Sequence, residues 1–452
     1  MTQPALRSQK KKGYYTSSFW ILLALSTAFF VRVFCAATRL PSVLVHIHFL
    51  TVPFALVVAI ATSRVKSQKQ LEIVQVLLSG LTVLFGTMVA SALLNDAGVI
   101  NAVFSFLMLG EPFMLLAAIA CLPVAQQRTE RLKKWLVIAS FANLFLALIQ
   151  YPLLDRGLIR AGTLTAPGDA MGGVFFPSGA GNYVSATVSA YFGLYYFISF
   201  KAVPLWLRTT VLLLCLFQVQ LSDSKQVLFA LLVGWILMAL TNVKKPQKAL
   251  LYIISFVLAI SIFYWCTQNL EEFAAFKNYM DKEGVYGPDG EAIRIKFLAF
   301  RVIPTYYHSP LNWLFGLGPG HTVGRLGGWL LKENWSIFGP LGATRHPVSD
   351  LIMQENYKSW IANESTMFSA PFGWAGIWGD LGLAGLAAYL LLGYIVWCYF
   401  CFDNFSKFLL LTVMVFGLIF TQMEEPGYML YTAALIGIRW YENKIKTNTN
   451  SL

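Results

Sequence analysis

From Val99 to Leu122 the chain reads VINAVFSFLMLGEPFMLLAAIACL, a stretch with a single charged side chain, Glu111. At about 1.5 Å of rise per residue, a helix of this length matches the hydrocarbon thickness of a bilayer, roughly 30 Å. Such a helix offers water no polar face. Comparable apolar segments recur near residues 17–38, 40–62, 71–94, 98–123, 135–154, 183–203, 207–222, 225–241, 249–267, 372–400, 407–422 and 427–441. The pattern predicts an all-α polytopic membrane protein of about twelve transmembrane helices with one large outer loop. With 57% hydrophobic and 12% charged residues, a soluble domain with a solvated surface is excluded. The expected division is residues 1–267 with helices one to nine and an outer loop at 155–182, a large extracytoplasmic loop at 268–371, and residues 372–452 with the last three helices and a cytoplasmic tail.

A net charge of +12 does not point to nucleic acid, because the cations lie in short clusters between apolar runs. Arg7, Lys10, Lys11 and Lys12 precede the first segment. Alternate loops then carry Arg64, Lys66 and Lys69; Arg128, Arg131, Lys133 and Lys134; Lys201 and Arg208; Lys244, Lys245 and Lys248; and Lys407, with Lys444 and Lys446 in the tail. Cation-rich loops stay cytoplasmic, so both termini are expected inside a multi-pass plasma-membrane protein. The N-terminal basic flank leads into an apolar run longer than a signal peptide's and without a small-residue cleavage site, which reads as a retained first span. Of the six cysteines, Cys398 and Cys401 have C-x-x-C spacing without a second pair, and all six sit in or beside apolar runs as buried thiols do.

Two segments fall on the expected outer side and carry polar chemistry, residues 155–182 and residues 268–371. The longer one counts ten acids against nine bases and is rich in Trp, Tyr and Pro, a composition suited to a folded structure. Arg294 and Arg301 are seven residues apart, two helical turns, so one helix ending before Pro304 would place both guanidiniums on one face. Such a pair suits phosphate oxygens or, equally, a solvated face paired with acids. The turn Gly316 to His321, GLGPGH, permits close backbone approach, yet no Gly-Lys-Ser/Thr follows it and no strand precedes it. His308, His321 and His346 are each able to act as a base near neutral pH, without metal-ligand spacing among them. No Asp-x-Asp metal site is present, and neither cofactor nor metal is expected.

Within the apolar segments Arg32, Glu111 and Asp380 must face protein or water, either in a structural pairing, Arg32 with Glu111 for instance, or in a direct role. Glycine recurs every third residue at 373, 376, 379, 382 and 385, a ridge for close packing with Asp380 inside it. Six tryptophans, Trp313, Trp329, Trp335, Trp360, Trp374 and Trp378, lie in or beside the long loop, suited either to stacking on sugars or to interfacial anchoring.

The order of FGLGPG in a large loop, GDLGLAGL just after it, GVFFPSGAGNYVSA at 173–186 and LSDSK at 221–225 resembles the O-antigen ligase and O-antigen polymerase superfamily of bacterial membrane glycosyltransferases. Two positions differ from that family's pattern: Pro371 and Phe372 stand where many members have His-Asn, and Lys225 where an arginine is usual. The resemblance implies a glycosyltransferase of the membrane-embedded C type, which passes a glycan from a polyprenyl pyrophosphate to an acceptor glycan or lipid at the outer face. It implies a polysaccharide polymerase, with the ligase as alternative; from another class, a transporter of lipid-linked sugars would also need twelve spans and intramembrane charges. A chain-length regulator or flippase of the same pathway would be a partner. In this reading Arg160, Lys225, Arg294 and Arg301 neutralise the pyrophosphate, His321, His346 or Glu364 takes the acceptor's proton, and Trp313, Trp329 and Trp335 hold the glycan.

Overall fold

The computed structural model describes residues 17–62, 68–122, 126–160, 166–241, 246–270, 285, 287 and 289–450. Arg7, Lys10, Lys11, Lys12, Arg64, Lys66, Lys244, Lys245 and the early acids of the long loop with Lys277 lie outside the described residues. Each apolar segment of the sequence contains one long helix: α1 (Ser17–Thr38), α2 (His48–Ala61), α3 (Gln68–Leu94), α4 (Val99–Ala120), α5 (Gln126–Asp155), α6 (Gly181–Ser199), α7 (Leu205–Leu221), α8 (Lys225–Thr241), α9 (Pro246–Asn269), α10 (Gly373–Tyr399), α11 (Asn404–Ile419) and α12 (Pro426–Asn450). Among the described residues there is no strand, as expected where lipid leaves backbone amides no partner but their own helix. Among the described residues, six helical segments are long and apolar enough to cross a membrane, and α7, α8 and α11 are shorter apolar helices.

The helices differ in how deeply they lie. α4 packs against α2, α3 and α12 and buries an unbroken run from Met108 to Ala120. α9 packs on α8 and leaves Leu250, Leu251, Ile254, Val257, Leu258 and Trp265 exposed, large apolar side chains that lipid would solvate favourably. α11 starts where the Asp403 carboxylate accepts the Ser406 N–H at 2.8 Å, an N-cap that satisfies one open donor.

The described part of the long loop, residues 289–371, is folded, as its composition predicts. Short helices at Glu291–Lys296, Leu298–Val302 and Asn312–Phe315, and a longer one at Pro347–Lys358, gather Ile295, Ala299, Ile303, Val348 and Ile352 into a core shared with Phe372, Ala375 and Trp378 at the start of α10. Lys296 ties this core to the bundle. Its buried ammonium donates to the Ser369 carbonyl at 3.2 Å and the Ile419 carbonyl at 2.8 Å and lies over the Phe372 ring at 4.3 Å.

The glycine ridge is a packing surface, but its main partner is the loop rather than another helix. A Cβ on Gly376 would come within 2.7 Å of the Gly324 Cα. At Gly382 a Cβ would meet the Leu314 carbonyl at 2.5 Å, and its φ of 61° breaks α10 at a conformation that side chains rarely adopt. The ridge thus lets residues 314–324 lie along α10.

Candidate functional site

The turn GLGPGH closes around a side chain of its own protein. Gly316, Gly318 and Gly320 all have positive φ, and the resulting bend aims backbone N–H groups at α10. The Asp380 carboxylate accepts the Gly320 N–H at 2.8 Å, the Thr322 N–H at 2.8 Å and the Thr322 hydroxyl at 2.6 Å. Leu317 and Gly318 N–H groups donate to the Gly379 and Asp380 carbonyls at 2.8 and 3.1 Å, while Ser91 donates to the Asp380 carbonyl at 2.7 Å. From α4, Asn101 bridges the Pro319 and Thr344 carbonyls at 2.9 Å each. The anion that this glycine-rich turn cradles is therefore Asp380, and those donors are already engaged.

Immediately beyond the turn stands a second, less complete network. The Glu424 carboxylate, in the connection between α11 and α12, accepts the Arg325 N–H at 2.6 Å. The Arg325 guanidinium pairs with Glu425 at 3.1 Å and donates to the Glu424 carbonyl at 3.2 Å. Arg32 of α1 is within electrostatic reach of Arg325, Glu425 and Glu333, and its Nη1 lies 3.4 Å from the Pro177 carbonyl. Glu424 Oε1 is buried and has no hydrogen-bond partner. Burial pushes Glu424 up to about 8; the Arg325 N–H opposes that rise and the neighbouring Asp380 carboxylate adds to it. Two guanidiniums, three glutamates and the loop 173–177 thus meet at one end of the bundle, beneath the folded loop.

The residues singled out in the sequence are distributed differently. His321 is buried with both ring nitrogens engaged, Nδ1 with the Leu317 carbonyl and Nε2 with the Thr344 hydroxyl, each at 2.7 Å. Burial pushes it down to about 4, so it is neutral at pH 7 and holds the turn's shape. His346 caps the Pro347–Lys358 helix, its Nδ1 accepting the Val348 N–H at 3.2 Å, and its ring lies 5.6 Å from that of His321. Burial lowers its pKa, and the neighbouring His308 lowers it further. Glu364 ends the Trp360–Glu364 helix on the surface.

Arg294 and Arg301 do not share one helix face. The helix breaks at Phe297, both residues are exposed, and Arg301 donates to the Arg294 carbonyl. Arg160 is exposed beside residues 161–165, which lie outside the described residues. Lys225 opens α8 and pairs with Asp223 at 3.0 Å, with Asp169 close by. Exposed cations make weak anion sites because water screens them. Trp313 sits with Tyr307 and Trp378, Trp329 packs on Phe420, and Trp335 lines an open cavity. Glu111 pairs with His48 at 2.9 Å rather than with Arg32, because α2 begins with His48 directly against α4.

Sequence reading missed Arg325, Glu424 and Glu425. The first lies inside the glycine-rich stretch, but its partners are 99 and 100 residues away and no spacing links them. The doublet Glu424-Glu425 between two apolar segments was the available signal, since an acid there must find a partner. Among the described residues no cluster of three or more His, Cys, Asp or Glu side chains is arranged to hold a metal. No model of a known family and no curated protein matches this chain.

Proposed function

We propose that this protein is a membrane glycosyltransferase that polymerises polyprenyl-pyrophosphate-linked glycan repeats on the outer face of the plasma membrane. In this reading all twelve long helices span the bilayer and both termini are cytoplasmic. The observation that supports it best is the Arg32–Arg325 pair beside Glu424 and Glu425, at the end of an apolar bundle that a folded loop covers. A guanidinium pair in a water-poor site is suited to a pyrophosphate, whose lipid tail would stay in the bilayer.

The chemistry follows from a change of partners. Without donor, Glu425 compensates Arg325 at 3.1 Å. With the donor's pyrophosphate on Arg32 and Arg325, the Glu425 carboxylate is released and takes the proton of the acceptor hydroxyl. That oxygen forms a bond to the donor sugar's anomeric carbon as the bond from this carbon to the pyrophosphate oxygen breaks. Polyprenyl pyrophosphate leaves with its charge held by the two arginines.

A deletion strain tests this, with surface and lipid-linked glycans sized on gels. Loss of long chains with single repeats retained supports polymerisation. Full-length glycan left on the lipid carrier reassigns the protein as a ligase, and unchanged glycans overturn the transferase reading. The topology is checked separately: a cysteine placed at Ser336 should react with an impermeant reagent in intact cells. Reaction only after permeabilisation would exclude an outer-face enzyme.

A further inference from the structure

The folded loop turns one apolar edge outward, and that edge continues the exposed side of α10. Along α10, Leu383, Ala387, Leu390, Leu391 and Tyr394 are exposed, a spacing of three and four residues that puts them on one helix face. α10 belongs to a segment long and apolar enough to cross a membrane, so this stripe is the face it turns to lipid. At the N-terminal end of the stripe the Leu314 backbone lies against Gly382, next to Leu383. The Asn312–Phe315 helix is also fixed from its other side. Asn312 Nδ2 donates to Asn95 Oδ1 at 2.7 Å, at the α3–α4 connection where Leu93 and Val99 are exposed.

From Leu314 the edge runs on through aromatic rings. Trp313 lies 6.3 Å from Trp378, Trp378 lies 4.8 Å from Phe300, and Phe300 lies 6.3 Å from Phe297. Trp378 is buried, whereas Phe297 and Trp313 are 50% and 52% exposed and Phe300 and Leu314 are exposed beside them. These four exposed side chains offer one polar group, the Trp313 indole N–H, too few for the hydroxyls of a sugar. The opposite end of the α10 stripe carries Tyr399 and Phe402, also exposed. Leu383 and Tyr399 stand about 24 Å apart along the helix, close to the roughly 30 Å of bilayer hydrocarbon. Aromatic rings thus border both ends of a stripe of hydrocarbon length, the places where Trp and Tyr meet the interfacial layer of a bilayer.

We propose that the edge formed by Phe297, Phe300, Trp313 and Leu314 is a membrane-docking surface, seated in the interfacial layer of the leaflet at the N-terminal end of α10. Its partner is phospholipid. Arg294 and Arg301, exposed on the same two short helices, keep their charged heads in the headgroup water on long stems. The loop is held down on the bilayer surface and does not stand free in water. This goes beyond the transferase reading and does not depend on it.

The test places the photoreactive residue p-benzoylphenylalanine at Phe297, Trp313, Leu383 or Gln354 of the full chain, one position at a time. Isolated membranes are irradiated, and the purified chain is weighed by mass spectrometry. Leu383 is the lipid-facing reference, and Gln354, exposed beside Arg345 and Asp350, is the water-facing one. Phospholipid adducts at Phe297 and Trp313 should approach the yield at Leu383 and exceed that at Gln354 on the order of tenfold. Each rim replacement puts a ring where an exposed ring stands, and two positions are probed so that a misfolded variant at one leaves the other to decide. A phospholipid yield no higher than at Gln354, or adducts to a second protein or to glycan in place of lipid, would overturn the docking surface. The readout is independent of activity, so failure of the transferase reading leaves this result standing.

Discussion

Two arginine–carboxylate networks are built into the bundle, and they differ in completeness. Around Arg439 of α12, Nε donates to Asp403 at 2.9 Å and Nη1 to Glu442 at 2.6 Å and to Ser199 at 3.1 Å. All four carboxylate oxygens there are engaged: the Ser406 N–H and Asn443 complete Asp403, and Lys133 and Tyr195 complete Glu442. Around Arg325, by contrast, Glu424 Oε1 has no partner and Arg32 reaches a carbonyl only at 3.4 Å. A closed network holds helices together; the open one leaves a buried carboxyl oxygen without a partner, the difference that the transferase reading uses.

The largest expected effect separates the two directly. Arg325→Lys keeps a charge beside Glu425 but loses the planar fork, so the protein should accumulate normally while transfer falls on the order of 100-fold. Arg439→Ala should instead remove folded protein from the membrane, because breaking a buried pair from one side costs about 3–5 kcal/mol. Quantifying protein beside glycan chain length distinguishes these outcomes. Normal chains with Arg325→Lys would show that the open network is structural too.

The networks should also answer pH with opposite sign. Glu424, raised to about 8, binds its proton more tightly in the folded state than in the unfolded chain. Stability at this end is therefore fully present below the ordinary glutamate range and falls as pH rises towards 8. For Asp403, burial alone would raise the pKa, but the Ser406 N–H, Arg439 and Asn443 outweigh it and hold the group below its ordinary value. Its contribution is present at neutral pH and is lost as pH falls through that lowered pKa. Thermal unfolding between pH 5 and 8 should show a decline that Glu424→Gln flattens and Asp403→Asn leaves alone. A decline that persists in Glu424→Gln would assign it to another group.

The helices were legible because lipid admits few solutions. A run such as Val99–Leu122 can bury its amides only as a helix, and α4 begins and ends within a few residues of that run. Asp380 was legible as a residue that must be held, and the glycine ridge as a close contact. What holds Asp380 was not, since Gly320 and Thr322 reach it across about sixty residues of chain. The same distance in sequence hid the Arg325–Glu424 meeting. Local spacing put the arginine clamp at Arg294 and Arg301, and one residue, Phe297 with φ −97° and ψ 12°, broke the helix on which that spacing depended.

Two glycine substitutions carry the contrast into a single helix. Gly376 faces Gly324 at the open network, whereas Gly393, further along α10, has nothing within 4 Å of where a Cβ would stand. Gly376→Leu should lift the loop from α10 and cost about 1–3 kcal/mol or more, seen as a lower melting temperature. Gly393→Leu should change it little.

The smallest effect is expected at Arg294 and Arg301, the pair that the sequence favoured. Both side chains are exposed, and Arg301 spends a guanidinium hydrogen on the Arg294 carbonyl. In water such cations add little to anion binding, about 0–1 kcal/mol each. The double alanine variant should therefore leave glycan chain length within about threefold of normal, in a complemented deletion strain with protein quantified alongside. Lys296, between them in sequence, is the buried cation of this segment, and burial pushes it down to about 7. Lys296→Met should lower melting temperature, because the Ser369 and Ile419 carbonyls lose their donor. If instead the double variant abolishes long chains at normal protein level, the pyrophosphate is held at the exposed pair, and the Arg32–Arg325 network must be reassigned to holding α1 and α12 against the loop.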